Sequence, residues 1–212
     1  KQIFTDIFTS LSNWAIVSGD WAVSGNELTA TTSGANIRFN TLLTKEQNDN
    51  LRVSFDLWMP TGRSFGCNFG VDLAATGNFD SVDAYEDPAV DPPNNSNFIG
   101  YIWTAGVAAI APNGTAYFGY AVGVYFHWDV YSFINPNGTR QIILEVNKVP
   151  LLNFTDSSGP KKDGYVTFSL GTESSVGTFK IANFSISTFQ SLLQPGTIPV
   201  TTSQIVQVFN GE

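Results

Sequence analysis

Leu51-Arg52-Val53-Ser54-Phe55-Asp56-Leu57-Trp58 alternates apolar and polar side chains without a break until its last residue. A period of two puts Leu51, Val53, Phe55 and Leu57 on one face of a strand, while Arg52, Ser54 and Asp56 turn to the other. Trp58 is out of phase with the apolar set and falls on the polar face. Pro60-Thr61-Gly62 then stops the strand. A half-buried strand of this length requires a sheet with one face on a core.

The same grammar extends in both directions. Asn13 to Val17 and Asp20 to Val23 flank a turn at Ser18-Gly19, and Ser24-Gly25-Asn26 turns the chain into Glu27 to Ala30. Downstream, Ser64 to Leu73, Tyr117 to Ile134, Arg140 to Val149, Gly164 to Leu170 and Thr178 to Ser187 read as further strands. Asn113-Gly114 and Asn137-Gly138 are tight-turn signals. Only Thr44 to Asn50 suggests a helical turn. Short strands punctuated by turns, with no alternation of strand and helix, predict an all-β antiparallel sandwich.

Composition agrees. Of 212 residues 42% are hydrophobic, enough for a core, but only 13% are charged, so the usual surface formers of helices are missing. Ser, Thr, Asn, Gly and Phe take their place. A net charge of −8 excludes nucleic acid and anionic membrane as expected partners. The single Cys67 excludes a disulfide framework and reads as a buried strand thiol. No apolar run is long enough to span a bilayer. The start at Lys1, without Met or a basic leader, is expected for a secreted chain whose signal peptide has been removed, placing it outside the cell or at its surface.

Some of these residues carry a resemblance. Asp6-Ile7-Phe8-Thr9, Trp14, Ser18-Gly19-Asp20-Trp21 and Asn26-Glu27-Leu28 resemble the first hairpin of concanavalin A-like, laminin-G-like jelly rolls. Leu144-Glu145-Val146-Asn147, Asp163 to Phe168 and Phe179 to Ile186 are similar to later strands of that superfamily. The resemblance covers roughly residues 4 to 187 and implies a jelly-roll β-sandwich with Trp14 and Trp21 in its core. It leaves function open, because the superfamily holds lectins, glycan-binding modules, glycosidases, lyases and structural domains. The expected organisation is a jelly roll over 1–187 and an extended C-terminal segment over 188–212.

An enzyme of this superfamily is expected to be a glycosidase with Glu-x-Asp-x-x-Glu on one strand face, and no Glu of the chain begins that pattern. The alternative constellation is Tyr125, His127, Asp129 and Tyr131 on one face of a strand, set against the plainer reading of an aromatic strand with one satisfied histidine. Trp58 and Trp103 are the candidate platforms for stacking on sugar rings, with Tyr125, His127 and Asp129 as polar partners. From Arg63 to Arg140 no basic residue intervenes, and Asn78 to Asp87 reads as an acidic loop. Asp80, Asp83, Glu86 and Asp87 are therefore candidate oxygen ligands for Ca²⁺, set against a solvated acidic loop. Asn-x-Ser/Thr sequons at Asn94, Asn113, Asn137 and Asn153 are candidate glycosylation sites, and a fifth at Asn183 lies in the closing strand.

These readings favour a non-catalytic extracellular structural or adhesive protein, a subunit of a surface or filamentous assembly. It would self-associate by β-strand complementation through the terminal strand carrying Ile205, Val206, Val208 and Phe209. The alternative is a lectin-like module that binds glycans. A glycoside hydrolase or polysaccharide lyase comes third.

Overall fold

The computed structural model describes residues 1–60, 64–71, 79–86, 95–105, 107–119, 123–157, 163–171 and 177–188. In chain order the elements are β1 (Gln2–Asp6), β2 (Trp14–Ser18), β3 (Ala22–Ser24), β4 (Glu27–Ala30), β5 (Asn36–Phe39), α1 (Lys45–Asn48), β6 (Asn50–Trp58), β7 (Ser64–Val71) and β8 (Phe79–Glu86). They continue with β9 (Asn95–Thr104), β10 (Val107–Gly119), β11 (Tyr125–Ile134), β12 (Arg140–Val146), β13 (Val149–Asp156), β14 (Tyr165–Leu170) and β15 (Phe179–Thr188). Sheet A has the order β13-β12-β11-β6-β15-β4-β3, with β1 also paired to β15, and sheet B has the order β10-β9-β8-β7-β14-β5-β2. Every pairing is antiparallel. The fold is an all-β jelly-roll sandwich, as the patterning required.

β6 sits at the centre of sheet A, and its apolar side, Leu51, Val53, Phe55 and Leu57, is at most 1% exposed. Across the sandwich Phe55 meets Phe168 edge-on at 5.0 Å and Phe65 at 5.7 Å. Trp14, Phe39, Phe168 and Phe184 form the neighbouring aromatic group, with centroids 4.9–5.7 Å apart. Each such ring contributes about 1.5–3 kcal/mol on burial. Trp14 and Trp21 are both buried in the core. Asp6 explains the first hairpin: its carboxylate accepts from the Trp14 indole at 2.9 Å and from the Phe8 amide at 2.7 Å. That holds Phe8 at φ 52 with its ring inside. Cys67 is fully buried, which pushes its thiol well above the ordinary range.

The helical turn stands where Thr44 to Asn50 placed it. Thr44 caps α1, and the Gln47 side chain accepts in return from the Thr44 amide at 2.8 Å. Three expectations need correction. The acidic stretch around Asn78 to Asp87 is not a loop over its described part, because Phe79–Glu86 is an interior strand between β7 and β9. Tyr117 to Ile134 is not one strand: β10 ends at Gly119 and β11 begins at Tyr125. Asn113-Gly114 makes a bulge within β10 rather than a hairpin turn, with Asn113 at φ 59 and a register shift between Ile110 and Thr115. A hairpin was also missed, since Asn147 and Lys148 at φ 49 and 66 turn β12 back into β13. The terminal strand with Ile205, Val206, Val208 and Phe209, together with Asp87 and Asn94, lies outside the described residues.

A buried guanidinium ties the sheets together at one end. Arg140 on β12 is fully buried and donates to Asp49 Oδ1 at 3.0 Å, Ser132 Oγ at 2.8 Å and the Asn48 carbonyl at 3.0 Å. Its Nε lies 3.6 Å from Asp80 Oδ2 on β8 of the other sheet. Burial pulls the guanidinium's proton affinity down, while Asp80, Asp49 and Asp156 hold it up.

Candidate functional site

Asp80 is turned into the interior, toward Arg140. Asp83, three residues on, points the other way, because successive side chains alternate across a strand. The two cannot share a cation, and the expected Ca²⁺ cluster at Asp80, Asp83, Glu86 and Asp87 is not assembled by these two carboxylates. Among the described residues no group of three or more His, Cys, Asp or Glu side chains could hold a metal ion.

The outer faces of the two sheets are chemically different. On sheet A, register places Asp56 beside His127 and Ser54 beside Asp129, with Arg52 beside Tyr131 and Trp58 beside Tyr125. Tyr125, His127, Asp129 and Trp58 therefore share one face, as alternation expected. His127 Nδ1 is 2.6 Å from Asp56 Oδ1, and Nε2 lies 3.1 Å from Ser54 Oγ and 3.5 Å from Asp129 Oδ2. Asn183 donates to the other Asp56 oxygen at 2.6 Å, Arg52 donates to Asp129 at 3.0 Å, and the His127 amide donates to Asn147 at 2.9 Å. Asp129 and Asp56 together hold the imidazolium form against burial, raising His127 to about 9. Burial works against an ionised Asp129, but His127, Ser54 and Arg52 win and hold its carboxyl below the usual range.

Ser54, His127 and Asp56 have the connectivity of an acyl-transfer triad. A second carboxylate, Asp129, also lies on the Nε2 side, and with Asp56 it favours the protonated ring, the form that does not serve as a base. At the end of the same face Lys180 sits over the Trp58 ring at 5.6 Å and pairs with Glu27 at 3.3 Å. Tyr125 donates its hydroxyl proton to Glu27. Trp58 is thus half-buried with a cation over its ring. Opposite charges meet along most of this face, but Glu145 on β12 stands directly across from Asp129, and burial and that second carboxylate raise its carboxyl.

On sheet B, two cross-strand rows run over the outer face. One is Arg38, Thr167, Asn68, Ser81 and Tyr101; the next is Asn36, Ser169, Gly66, Asp83 and Ile99. Asn68, Ser81 and Thr167 are each at most 7% exposed although they face away from the core, so this polar row is sheltered. Asn68 donates to Thr167 Oγ1 at 3.0 Å and Ser169 Oγ at 3.1 Å. Trp103 stacks on Phe79 at 4.9 Å, lies 6.5 Å from Tyr101, and donates to Ser81 Oγ at 3.2 Å.

In this row Asn36 and Asp83 each leave a buried side-chain oxygen without a donor, and only that of Asp83 belongs to a carboxylate. Asp83 Oδ1 is closed off from solvent and has no hydrogen-bond donor. Burial raises its carboxyl to about 7, only partly offset by the Ser81 hydroxyl. Gly66 makes the convergence possible: a Cβ there would lie 2.7 Å from Ser169 Oγ and 2.9 Å from Asp83 Oδ1. The sequence reading had assigned Asp83 to a metal and missed Asn68, Thr167 and Ser169. Their signal was present only as polar residues alternating with Cys67, Phe69, Val166 and Phe168, and nothing local said that the rows would meet.

Asn113, Asn137 and Asn153 are exposed, as is Asn183, whose amide is engaged by Asp56. An open cleft of about 510 Å³ between α1 and the end of β11 is lined by Lys45, Asp49, Ile134 and Pro136 among others. Its carboxylate Asp49 is already taken by Lys45 and Arg140. No described helix is long and apolar enough to cross a membrane.

No family model and no curated protein matches the chain. Solved structures do match. A Bacillus subtilis protein of unknown function with a galectin-like fold superposes with TM-score 0.60 at 12% identity, covering 88% of this chain and 96% of that one. Bacillus licheniformis β-glucanase gives TM-score 0.61 at 14% identity, covering 88% and 98%. A legume lectin-like domain from Entamoeba histolytica gives 0.57 at 10% identity, covering 85% and 92%. Identities this low establish the fold, a concanavalin A-like jelly roll, and nothing finer.

Proposed function

We propose that the chain is a non-catalytic, lectin-like module that binds a neutral glycan on the outer face of sheet B. One observation carries this reading: the Asp83 carboxylate, shut away from water without a donor on Oδ1, beside hydroxyl and amide groups and an aromatic strip ending in Trp103. A sugar that displaces what covers this oxygen supplies the missing donor through a hydroxyl, and the C–H face of a pyranose suits the aromatic strip. Likeness to a lectin-like domain and a β-glucanase supports a saccharide-facing sheet. Absence of catalysis rests on the charge pattern. Retaining hydrolysis needs two carboxyl groups about 5–5.5 Å apart, and the residues that register sets beside Asp83 are Gly66 and Ile99.

Calorimetric titration with neutral β-glucan and galactan oligosaccharides tests the reading. Binding that falls at least about tenfold in Trp103→Ala and Asp83→Asn is expected, with no reducing ends released. Turnover of any of these sugars, or binding untouched by both substitutions, would defeat it.

A secreted, glycosylated chain that assembles by strand complementation is the second reading. It is favoured by the exposed sequons and by the uncharged edges of sheet B.

A further inference from the structure

Sheet B ends on β10, and among the described residues no strand pairs with its far side. Val107 is 70% exposed and Ile110 56%, and Ala108 and Ala109 between them are also exposed. No large apolar side chain described is more exposed than Val107. The strand Val107–Gly119 has no Asp, Glu, Lys or Arg anywhere along it. Natural sheet edges are normally blunted with lysine, proline or a bulge, because unpaired backbone groups beside apolar side chains recruit another strand. Here those devices come only after Ile110: Pro112 and the bulge at Asn113 close the flat stretch, and Ala111 is already buried. The sheet A edge at β13 differs, carrying Pro150 and Asp156.

We propose that two copies of this chain pair through Val107–Ile110, antiparallel across a two-fold axis, and so join their B sheets into one. Three observations choose a second copy, in this arrangement, as the occupant. The first is charge. The chain carries −8 overall, and a strip with no charge can approach its own copy without opposing like charges.

The second is strand direction. Among the described residues sheet B has seven strands, all antiparallel to their neighbours, so β10 and β2 at its two edges run the same way. Stacking copies head to tail would set β10 beside β2 in parallel, against the habit of the sheet, whereas a two-fold axis sets β10 beside β10 antiparallel. The third is self-complementarity: residues opposite one another in an antiparallel pair share a face, so a two-fold axis perpendicular to the sheet centres on one residue, and centred on Ala109 it sets that alanine against its own copy and Ala108 against Ile110.

The axis that pairs a strand with its own copy antiparallel stands perpendicular to the sheet. Both outer faces of sheet B then turn to the same side, which lets two weak sites engage one multivalent surface. The pairing itself does not depend on the sugar reading.

Sedimentation velocity on the full-length protein across a concentration series is the test. A four-residue strip makes a small interface, so a dimer with dissociation constant on the order of 10–100 μM is expected. Val107→Lys with Ile110→Lys should weaken it at least about tenfold, since each copy then brings two ammonium groups to one short seam. Both replaced side chains are exposed, and an unchanged circular dichroism spectrum verifies the fold. Val17→Lys on β2 should leave the dimer intact. A wild-type chain that stays monomeric up to about 500 μM overturns the proposal. So does association that survives the lysines, or association lost with Val17→Lys.

Discussion

The two outer faces differ in how completely they answer their own charges. On sheet A, His127 stands between Asp56 and Asp129, Arg52 meets Asp129, and Lys180 meets Glu27. On sheet B, hydroxyls and an amide bond among themselves, and Asp83 Oδ1 has no donor. A satisfied network stiffens the strands it crosses and offers little to a ligand. An unsatisfied acceptor costs stability until something donates to it. Four of the five residues that the sequence marked for sugar, Trp58, Tyr125, His127 and Asp129, sit on the satisfied face. Only Trp103 sits on the other.

The largest effect should come from neither face but from the link between their sheets. Replacing Arg140 by Ala takes the guanidinium away from Asp49 and Asp80 and should cost about 3–5 kcal/mol in urea unfolding. A cost below about 1 kcal/mol would mean that the guanidinium does not hold the sheets together.

Asp83→Asn should act oppositely on stability and on binding. The folded state holds this proton more tightly than the unfolded chain does, because the carboxyl is raised to about 7. The ionised form therefore costs stability as pH rises from the unfolded value near 4 through 7. The substitution should stabilise by about 2 kcal/mol at pH 8 and by nearly nothing at pH 4, while weakening the sugar. Stabilisation independent of pH would remove the argument that burial of this carboxylate is the cost.

The smallest effect belongs to His127, whose side chain is 40% exposed. Its folded value of about 9 lies above the unfolded value, so its contribution is fully present below about 6.5 and is lost as pH rises through 9. Solvent screening limits it to about 1 kcal/mol. His127→Gln should flatten the stability profile between pH 6.5 and 9 and leave sugar affinity unchanged. A loss of affinity would move the binding face to sheet A.

Much of the fold was legible because period-two patterning is local. The run from Leu51 to Leu57 declared its buried face, Trp14 and Trp21 declared the first hairpin, and Thr44 with Gln47 declared the one helical turn. The acidic stretch misled for a reason that is just as physical. Asp80 looks like a loop residue until Arg140, far along the chain, is brought against it from the opposite sheet, and no window of sequence contains both.

By itself, then, the sequence determined the class of the chain: strands, a one-sided core and too little charge for helices. Alternation even placed Tyr125, His127 and Asp129 together, since they share one strand. Only the tertiary structure decided what each of them meets. Asp56 and Asn183 come to His127 from β6 and β15, and Asn68, Thr167 and Asp83 come together from β7, β14 and β8. Side-chain direction is set by the backbone of one strand, but hydrogen-bond satisfaction is set by register between strands. That register comes from the burial of the whole core, and it left Asp83 Oδ1 on sheet B without a donor while it set two carboxylates against His127 on sheet A.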